Sequence, residues 1–169
     1  MTSALLRHYR MMARYNAGAN RILYEACAKL SDAERKRVRP AFFKSIHGTL
    51  NHILLGDRIW LGRFEGHPMP STNLDRILYE DFSELRAARE AEDRLIEAFF
   101  ADLTEAFVGR RFQYVNNSGQ HVEGEAQLYL AQMFNHQTHH RGQVHDQLCQ
   151  TEVPPPPLDV QVVLRDVAF

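Results

Sequence analysis

Hydrophobic residues recur every three or four positions along most of the chain, and the strict alternation typical of strands is nearly absent. In the first segment the apolar stripe consists of Leu5, Tyr9, Met12, Asn16, Asn20, Leu23 and Cys27. These positions lie on one side of a helix, so the pattern predicts a first long helix over about residues 3–29. Because Asn16 and Asn20 share that side, we expect them to form buried hydrogen bonds between helices, with contact to a substrate as the alternative.

The next segments predict two more long helices. The sequence SDAE at 31–34 has the form of a capping box and can start a short turn. Pro40 marks the expected entry to the second long helix, because proline is favoured in the first turn. The apolar stripe of that helix contains Ile46, Leu50, Ile53, Asp57, Trp60 and Phe64. After a connection rich in helix breakers at 65–72, DFSE at 81–84 resembles an N-cap and starts a third helix that runs to about residue 103.

The third helix is predicted to turn its apolar residues toward the core and its charged residues toward solvent. The residues expected in the core are Phe82, Leu85, Leu95, Ile96 and Phe99. The sequence AAREAED at 87–93 is expected on the solvent side.

The last third of the chain begins differently. At 111–125, β-favouring residues surround the turn-forming sequence Asn117, Ser118 and Gly119, which predicts a small irregular hairpin. A fourth helix follows over about 125–150, and the four prolines at 154–157 should end all helix and leave an extended tail. Four principal helices around one core predict an all-α fold, with an antiparallel four-helix bundle as the expected architecture.

Four of the nine histidines lie in the eleven residues NHQTHHRGQVH at 135–145. His136 and His140 are four residues apart and therefore project from one face of the predicted fourth helix, the spacing of a metal clip. His139 and His145 point elsewhere and are expected to be exposed or to contact a ligand residue. Such a pair also occurs on ordinary solvent-exposed helix faces and does not by itself indicate a metal site. A metal site needs a further ligand from another helix.

The surroundings of this pair favour a cavity or the mouth of a bundle. A polar file on the same face consists of Glu125, Tyr129, Gln132, Gln143 and Gln147. The second helix offers His47 and His52, of which only one can face a given site. We favour His52 because the small residues Thr49 and Gly56 share its side, and the alternative is a histidine hydrogen-bonded to a carbonyl.

Familiar metal motifs are absent. Position 137 is glutamine where the helix of a zinc protease carries its glutamate base, and the chain has no Glu-x-x-His for a di-iron site.

Several other residues have two interpretations. Asp57 lies on an apolar stripe. Its functional interpretation is to accept a hydrogen bond from a ligand imidazole or to act as a general base, and its structural interpretation is to pair with an arginine or a capping amide. Tyr129 can serve as an acid, or as an aromatic core residue whose hydroxyl group reaches water. Gln132 can reach the site from the same helix face. Arg141 can bind a carboxylate or pair with a neighbouring helix or subunit.

Composition restricts the classes of function. The 169 residues, 44% of them apolar, suit one domain over 1–169. The 20 Lys and Arg residues nearly balance the 21 Asp and Glu residues, so the protein has no net positive charge to attract nucleic acid or an anionic membrane. Cys27 and Cys149 form no metal or disulfide motif, which suits a reducing compartment. No stretch has the length of a membrane span, and the basic amino-terminal segment is unlike a signal peptide. We therefore expect a cytoplasmic protein without nucleic-acid or membrane partners.

Two stretches, LNHILLGDRIWLGRF at 50–64 and FNHQTHHRGQ at 134–143, resemble the DinB family of metal-binding four-helix bundles, which is unrelated to the DNA polymerase of that name. The segment MARYNAGANRILYEAC at 12–27 resembles the opening helix of that family, so the similarity covers most of the chain. It differs at Gly18, where relatives often have tryptophan, which puts the local packing of the first helix in question.

This resemblance implies a metal site formed by His52, His136 and His140, a long connection between the second and third long helices, and assembly as a homodimer. Aromatic residues near both chain ends, if exposed, would also favour self-association.

The resemblance also shapes the expected function. Characterised relatives include transferases and isomerases that use low-molecular-weight thiols, so we expect one divalent ion, zinc or nickel, in a transferase acting with a small-molecule thiol on a small electrophile. Asp57 and Tyr129 are the candidate catalytic residues. The alternatives are a metal-dependent hydrolase and a non-catalytic protein that binds metal or a small ligand during stress.

Overall fold

The computed structural model describes residues 3–165, which contain four long helices, three short ones and one β-hairpin. In chain order the elements are α1 (Ala4–Ala28), α2 (Asp32–Lys36), α3 (Ile46–Glu65), α4 (Phe82–Ala101), α5 (Glu105–Val108), β1 (Arg111–Val115), β2 (His121–Glu125), α6 (Ala126–Leu148) and α7 (Val160–Val163). The long helices α1, α3, α4 and α6 form the bundle, which confirms the predicted all-α class.

Side-chain caps fix several helix boundaries. Ser31 and Asp81 accept the backbone N–H three residues ahead, as their sequence motifs predict. The prediction that Pro40 opens the second long helix is wrong, because α3 begins only at Ile46. Ser45 caps it by accepting the N–H of Gly48, and the preceding Lys44 has a φ of 64°, a left-handed conformation that an α-helix cannot include.

The helix directions differ from the simple antiparallel expectation. Asp57 of α3 contacts Arg89 of α4, and Phe64, further along α3, contacts Phe99, further along α4. The two helices therefore run parallel. By contrast, α3 and α6 run antiparallel. A chain leaving α3 must therefore travel back along a helix about 30 Å long before α4 can start. Residues 66–81 make this return, and the long connection is the consequence of the parallel pair.

Helix α4 places charge inside the bundle, contrary to prediction. Arg89, Glu92 and Asp93 are buried, although the segment 87–93 was expected in solvent. Leu95, expected in the core, is 55% exposed. Arg89 and Asp93 lie at helical spacing between the buried apolar residues of α4, which are Phe82, Leu85, Ile96 and Phe100. The buried face of this helix therefore contains charged as well as apolar side chains.

The hairpin is confirmed and is more regular than expected. Strands β1 and β2 pair antiparallel in full register, with Phe112 opposite Gly124, and the turn contains Gly119 with a φ of 78°. Gly124 leaves room for Tyr129, whose hydroxyl would lie 2.5 Å from a Cβ at that position. The hairpin therefore packs on the start of α6 through this aromatic contact.

The tail after the prolines is not wholly extended, because residues 160–163 form the short helix α7. This helix packs on α1, where a Cβ on Gly18 would lie 2.7 Å from Cγ1 of Val163. Gly18 thus provides the contact surface for α7.

Near the amino end, Tyr9 and Tyr15 are buried inside the bundle, which removes part of the sequence argument for self-association. At the other end Phe169 lies outside the described residues. Both cysteines are free thiols, Cys27 buried and Cys149 exposed. Within residues 3–165, every helix is too short or too polar to span a lipid bilayer.

Candidate metal centre

Three imidazoles from α3 and α6 converge on one point. The Nε2 atom of His52 lies 3.0 Å from Nε2 of His136 and 3.2 Å from Nε2 of His140. The antiparallel packing of the two helices places one turn of α3 beside the i, i+4 pair of α6. The structure thus brings together the three histidines that the sequence resemblance indicates, as a cluster that could hold a metal ion.

The partners of the outer ring nitrogens determine where the protons lie. Nδ1 of His52 is 2.8 Å from the carbonyl oxygen of Leu74, which can only accept a hydrogen bond, so Nδ1 carries the proton. Nδ1 of His140 likewise donates to Oε1 of Gln143 at 2.8 Å. In a neutral imidazole the other nitrogen is then an acceptor. The Nε2 lone pairs of His52 and His140 therefore face each other, an arrangement that a cation between them would stabilise.

The spacing of the three nitrogens also fits a metal ion. Two imidazole nitrogens bound to one zinc ion at about 2.0–2.1 Å and a near-tetrahedral angle lie about 3.3 Å apart. The observed separations of 3.0 and 3.2 Å are close to that value. The donor set, three neutral nitrogens with two of the outer nitrogens hydrogen-bonded, is typical of zinc and related first-row metals.

Burial keeps these imidazoles neutral. His52 is 4% exposed, and its ring stacks on Phe43 with ring centroids 3.8 Å apart. Burial lowers the pKa of His52 to about 4, against the opposing hydrogen bond to Leu74, and lowers the pKa of His136 to about 3. Burial also lowers the pKa of His140. At neutral pH all three rings are therefore neutral and can act as ligands without first losing a proton.

Gly56 allows His136 to enter the site. A Cβ at position 56 would lie 2.5 Å from Cε1 of His136, closer than van der Waals contact allows. The sequence suggested that Gly56 leaves space for a ligand, and the structure fills that space with the imidazole ring. Nδ1 of His136 is buried without a hydrogen-bond partner in the described residues, so packing against α3 rather than a hydrogen bond orients this ring.

We expect Gly56→Ala to weaken metal binding by at least tenfold while the bundle stays folded, because the new methyl group must displace the ring of His136. Isothermal titration with zinc would measure the change. The matched control is Gly142→Ala on α6, where a Cβ would meet nothing within 4 Å and the metal affinity should stay unchanged. Equal affinities for both variants would contradict this role of Gly56.

Gln143 links a ligand histidine to the surface. Its Oε1 accepts from His140, and its Nε2 lies 3.1 Å from Nε2 of the exposed His139. His139 therefore contacts a residue that orients a ligand. The sequence placed Gln143 in the polar file but did not identify this contact.

Gln143→Leu should reduce zinc affinity about 10- to 100-fold, the usual cost of losing a hydrogen bond that orients a ligand. Gln132→Leu, a change of the same size at an exposed position of α6, is the control and should have no effect. A competition assay against a chelator would compare the two, and an unchanged affinity for Gln143→Leu would show that packing alone orients His140.

Hydrogen bonds hold the long connection, residues 66–81, against α3 beside the site. Oδ1 of Asn51 accepts the backbone N–H groups of Leu78 and Tyr79, and Nε2 of His47 lies 2.8 Å from the carbonyl oxygen of Tyr79. His47 is thus buried in a structural contact. Together with the bond from His52 to Leu74, these contacts hold the connection against one side of the metal centre.

Asp57 and Tyr129 make no hydrogen bond or ring contact with the three histidines in the part of the chain that the structure describes. Asp57 is fully buried and accepts a hydrogen bond from Arg89. Tyr129 packs on Trp60 and Tyr114, with ring centroids 5.9 and 5.3 Å apart. Gln132 is exposed. A catalytic role for Asp57 or Tyr129 stays a prediction.

A buried polar network, separate from the three histidines, joins α1, α4 and α6. Asp93 accepts from the amides of Asn16 and Asn20, which in turn accept from Arg141. This confirms the predicted hydrogen bonding of the two asparagines between helices. The pairing of Arg141 with a neighbouring helix is likewise the arrangement observed.

Comparisons with known proteins identify the family of this chain. The sequence profile of the DinB family matches residues 1–165. Protein DinB of Bacillus subtilis (strain 168) is 25% identical over 159 residues, a match that covers 89% of this chain and 90% of that protein. Since the profile spans nearly the whole sequence, the chain belongs to the DinB family.

Proposed function

We propose that the protein binds one divalent metal ion, zinc or nickel, through Nε2 of His52, His136 and His140. The observation that carries this proposal is the pair of Nε2 lone pairs on His52 and His140, turned toward each other by the hydrogen bonds at their Nδ1 atoms. A buried pair of facing acceptors is unfavourable without a positive charge between them.

The number of ligands supports chemistry over a purely structural role. Structural zinc sites are usually closed by four protein ligands, whereas sites with three ligands leave a position for water or substrate. The cluster contains three ligand residues in the described part of the chain. When bound, the metal would supply positive charge that lowers the pKa of a coordinated thiol or water.

The reaction we propose is transfer of a low-molecular-weight thiol to a small electrophile. The thiol loses its proton to a base, its sulfur forms a bond to the electrophilic carbon, and the leaving group departs with the electrons of the broken bond. Family membership supports this reaction class. The stacked rings of Phe43 and His52 support it too, because they provide an apolar wall that excludes water from one side of the site.

Asp57 and Tyr129 would handle protons in this reaction only after a rearrangement, because Asp57 pairs with Arg89 and Tyr129 packs among aromatic rings. Burial raises the pKa of Asp57 to about 7, against the lowering effect of Arg89. A pKa near neutrality suits a general base, which is the support for keeping Asp57 as a candidate.

The test is turnover of chlorodinitrobenzene by metal-loaded, untagged protein with and without glutathione. We expect metal-dependent turnover that requires the thiol, is lost in His136→Ala and persists in His145→Ala. Thiol-independent turnover of an ester substrate would favour a hydrolase. Metal binding without turnover across a panel of electrophiles and thiols would favour a binding protein.

We also propose that the protein is a homodimer, on the basis of its family membership and of exposed apolar residues such as Phe42, which is 81% exposed. Sedimentation at micromolar concentration tests this, and a monomer alone would contradict it.

A further inference from the structure

A cavity lies beside the end of α3, apart from the three histidines. It has a volume of about 410 Å³ and lies between residues 66–71 and the β-hairpin. Its walls include Arg63, Tyr114 and Asn117. We call it the Arg63 pocket.

Arg63 is held in place without a counterion. Its guanidinium carbon lies 4.8 Å from the ring centroid of Trp60 and 4.3 Å from that of Tyr114. Within residues 3–165 it forms no ion pair and donates no hydrogen bond, although its side chain is half-buried. Burial lowers the pKa of Arg63. Two aromatic rings thus fix a partly desolvated cation whose N–H donors have no acceptor in the part of the chain that the structure describes.

The rest of the pocket suits an anion. Among the described residues no aspartate or glutamate lines it, and Ser71, Gln113, Asn116 and Asn117 supply hydroxyl and amide groups to its walls. The amide of Gln113 also donates to Glu123, which lies outside the lining. Ser71 donates to the carbonyl of Asn117, and the amide of Asn117 donates to the carbonyl of Thr72. The connection and the hairpin tip are therefore tied together, so both walls of the pocket are fixed.

The Arg63 pocket and the metal centre share a helix face and a wall. Arg63 follows Gly56 by seven residues, two turns of α3, which places it on the same face about 10 Å along the axis from the residue that contacts His136. The connection leaves α3 at Gly66, passes the pocket at Ser71 and reaches His52 at Leu74.

We propose that the Arg63 pocket binds the carboxylate of a small molecule. A planar guanidinium matches a carboxylate through two parallel hydrogen bonds, which a single hydroxyl or amide cannot provide. This assignment rests on the proposed function and deepens it by specifying that the thiol substrate carries a carboxylate.

The test measures binding without catalysis. S-methylglutathione carries both carboxylates and has no free thiol, so it can occupy the Arg63 pocket without coordinating metal. We would titrate it and its dimethyl ester into metal-free protein by calorimetry. The fluorescence of Trp60, the single tryptophan of the chain, would locate the binding.

The acid should bind saturably and change the Trp60 emission, and the diester should bind on the order of 10-fold or more weakly. Arg63→Gln should weaken binding of the acid to the same extent. Arg63→Lys, which keeps the charge, should retain part of the affinity, and Arg94→Gln, an exposed arginine of α4, should bind like the native protein.

Equal binding of acid and diester, or unchanged binding in Arg63→Gln, would overturn the proposal. Tighter binding of inorganic phosphate than of S-methylglutathione would assign a phosphate ligand and overturn the carboxylate. Binding that depends on Arg63 in a protein without thiol-transfer activity would leave the anion site standing and remove only the proposed reaction.

Discussion

Replacing Arg89 with methionine should destabilise the fold by about 3–5 kcal/mol, the usual cost of removing one partner from a buried ion pair. Arg89 donates to Asp57, and its second nitrogen lies 2.9 Å from Oδ1 of Asp93. Both aspartates are buried, so the variant leaves two carboxyl groups in the core without their cation. Urea unfolding followed by circular dichroism would measure the loss.

The control for this variant is Arg86→Met, three residues earlier on α4. Arg86 forms a surface pair with Glu90, and such pairs contribute less than about 1 kcal/mol. The double variant Arg89→Met with Asp57→Asn should lose less stability than the sum of the two single changes, because the partners interact directly. A loss below about 1 kcal/mol for Arg89→Met would show that the pair does not stabilise the bundle.

Replacing His136 with alanine should reduce metal affinity by more than about 100-fold. Loss of a residue that only orients a ligand costs up to about 100-fold, and loss of the ligand itself should cost more. His136 supplies one of the three converging Nε2 atoms, and neither neighbouring histidine can replace it from its own helix position. Metal content by mass spectrometry on untagged protein would record the loss.

His145→Ala and His139→Ala are the matched controls on the same helix. His145 forms no hydrogen bond with the three ligands in the described part of the chain, and His139 contacts them only through Gln143. We expect both variants to retain metal. If either loses the metal while His136→Ala keeps it, the assignment of ligands is wrong.

The sequence was sufficient for those features that depend on local spacing. The i, i+4 pair on α6, the capped starts of α2 and α4 and the turn of the hairpin each follow from residues close together in the chain. The third histidine required evidence from outside α6. The small residues on one side of α3 favoured His52 over His47, and the family resemblance indicated the same residue. Its meeting with His136 and His140 depends on the packing of α3 against α6, which helix periodicity alone does not specify.

The parallel pair of α3 and α4 was beyond local reasoning, because helix direction depends on which helices are neighbours in space. The buried charges of α4 were missed for another reason. Arg89 and Asp93 have the spacing of the apolar stripe from Phe82 to Phe100, but their charge suggested solvent. Their partners, Asp57 and the asparagines of α1, lie on other helices. Asp57 on the apolar side of α3 was the signal that an internal cation was needed.

The most direct test of the three-histidine metal site is anomalous scattering from crystals of untagged protein loaded with zinc. We predict one strong peak per chain, about 2.0–2.1 Å from Nε2 of His52, His136 and His140. The peak should appear only in data collected above the zinc absorption edge. A peak coordinated by other residues, or no peak between these three imidazoles at full loading, would contradict the metal centre on which the proposed function rests.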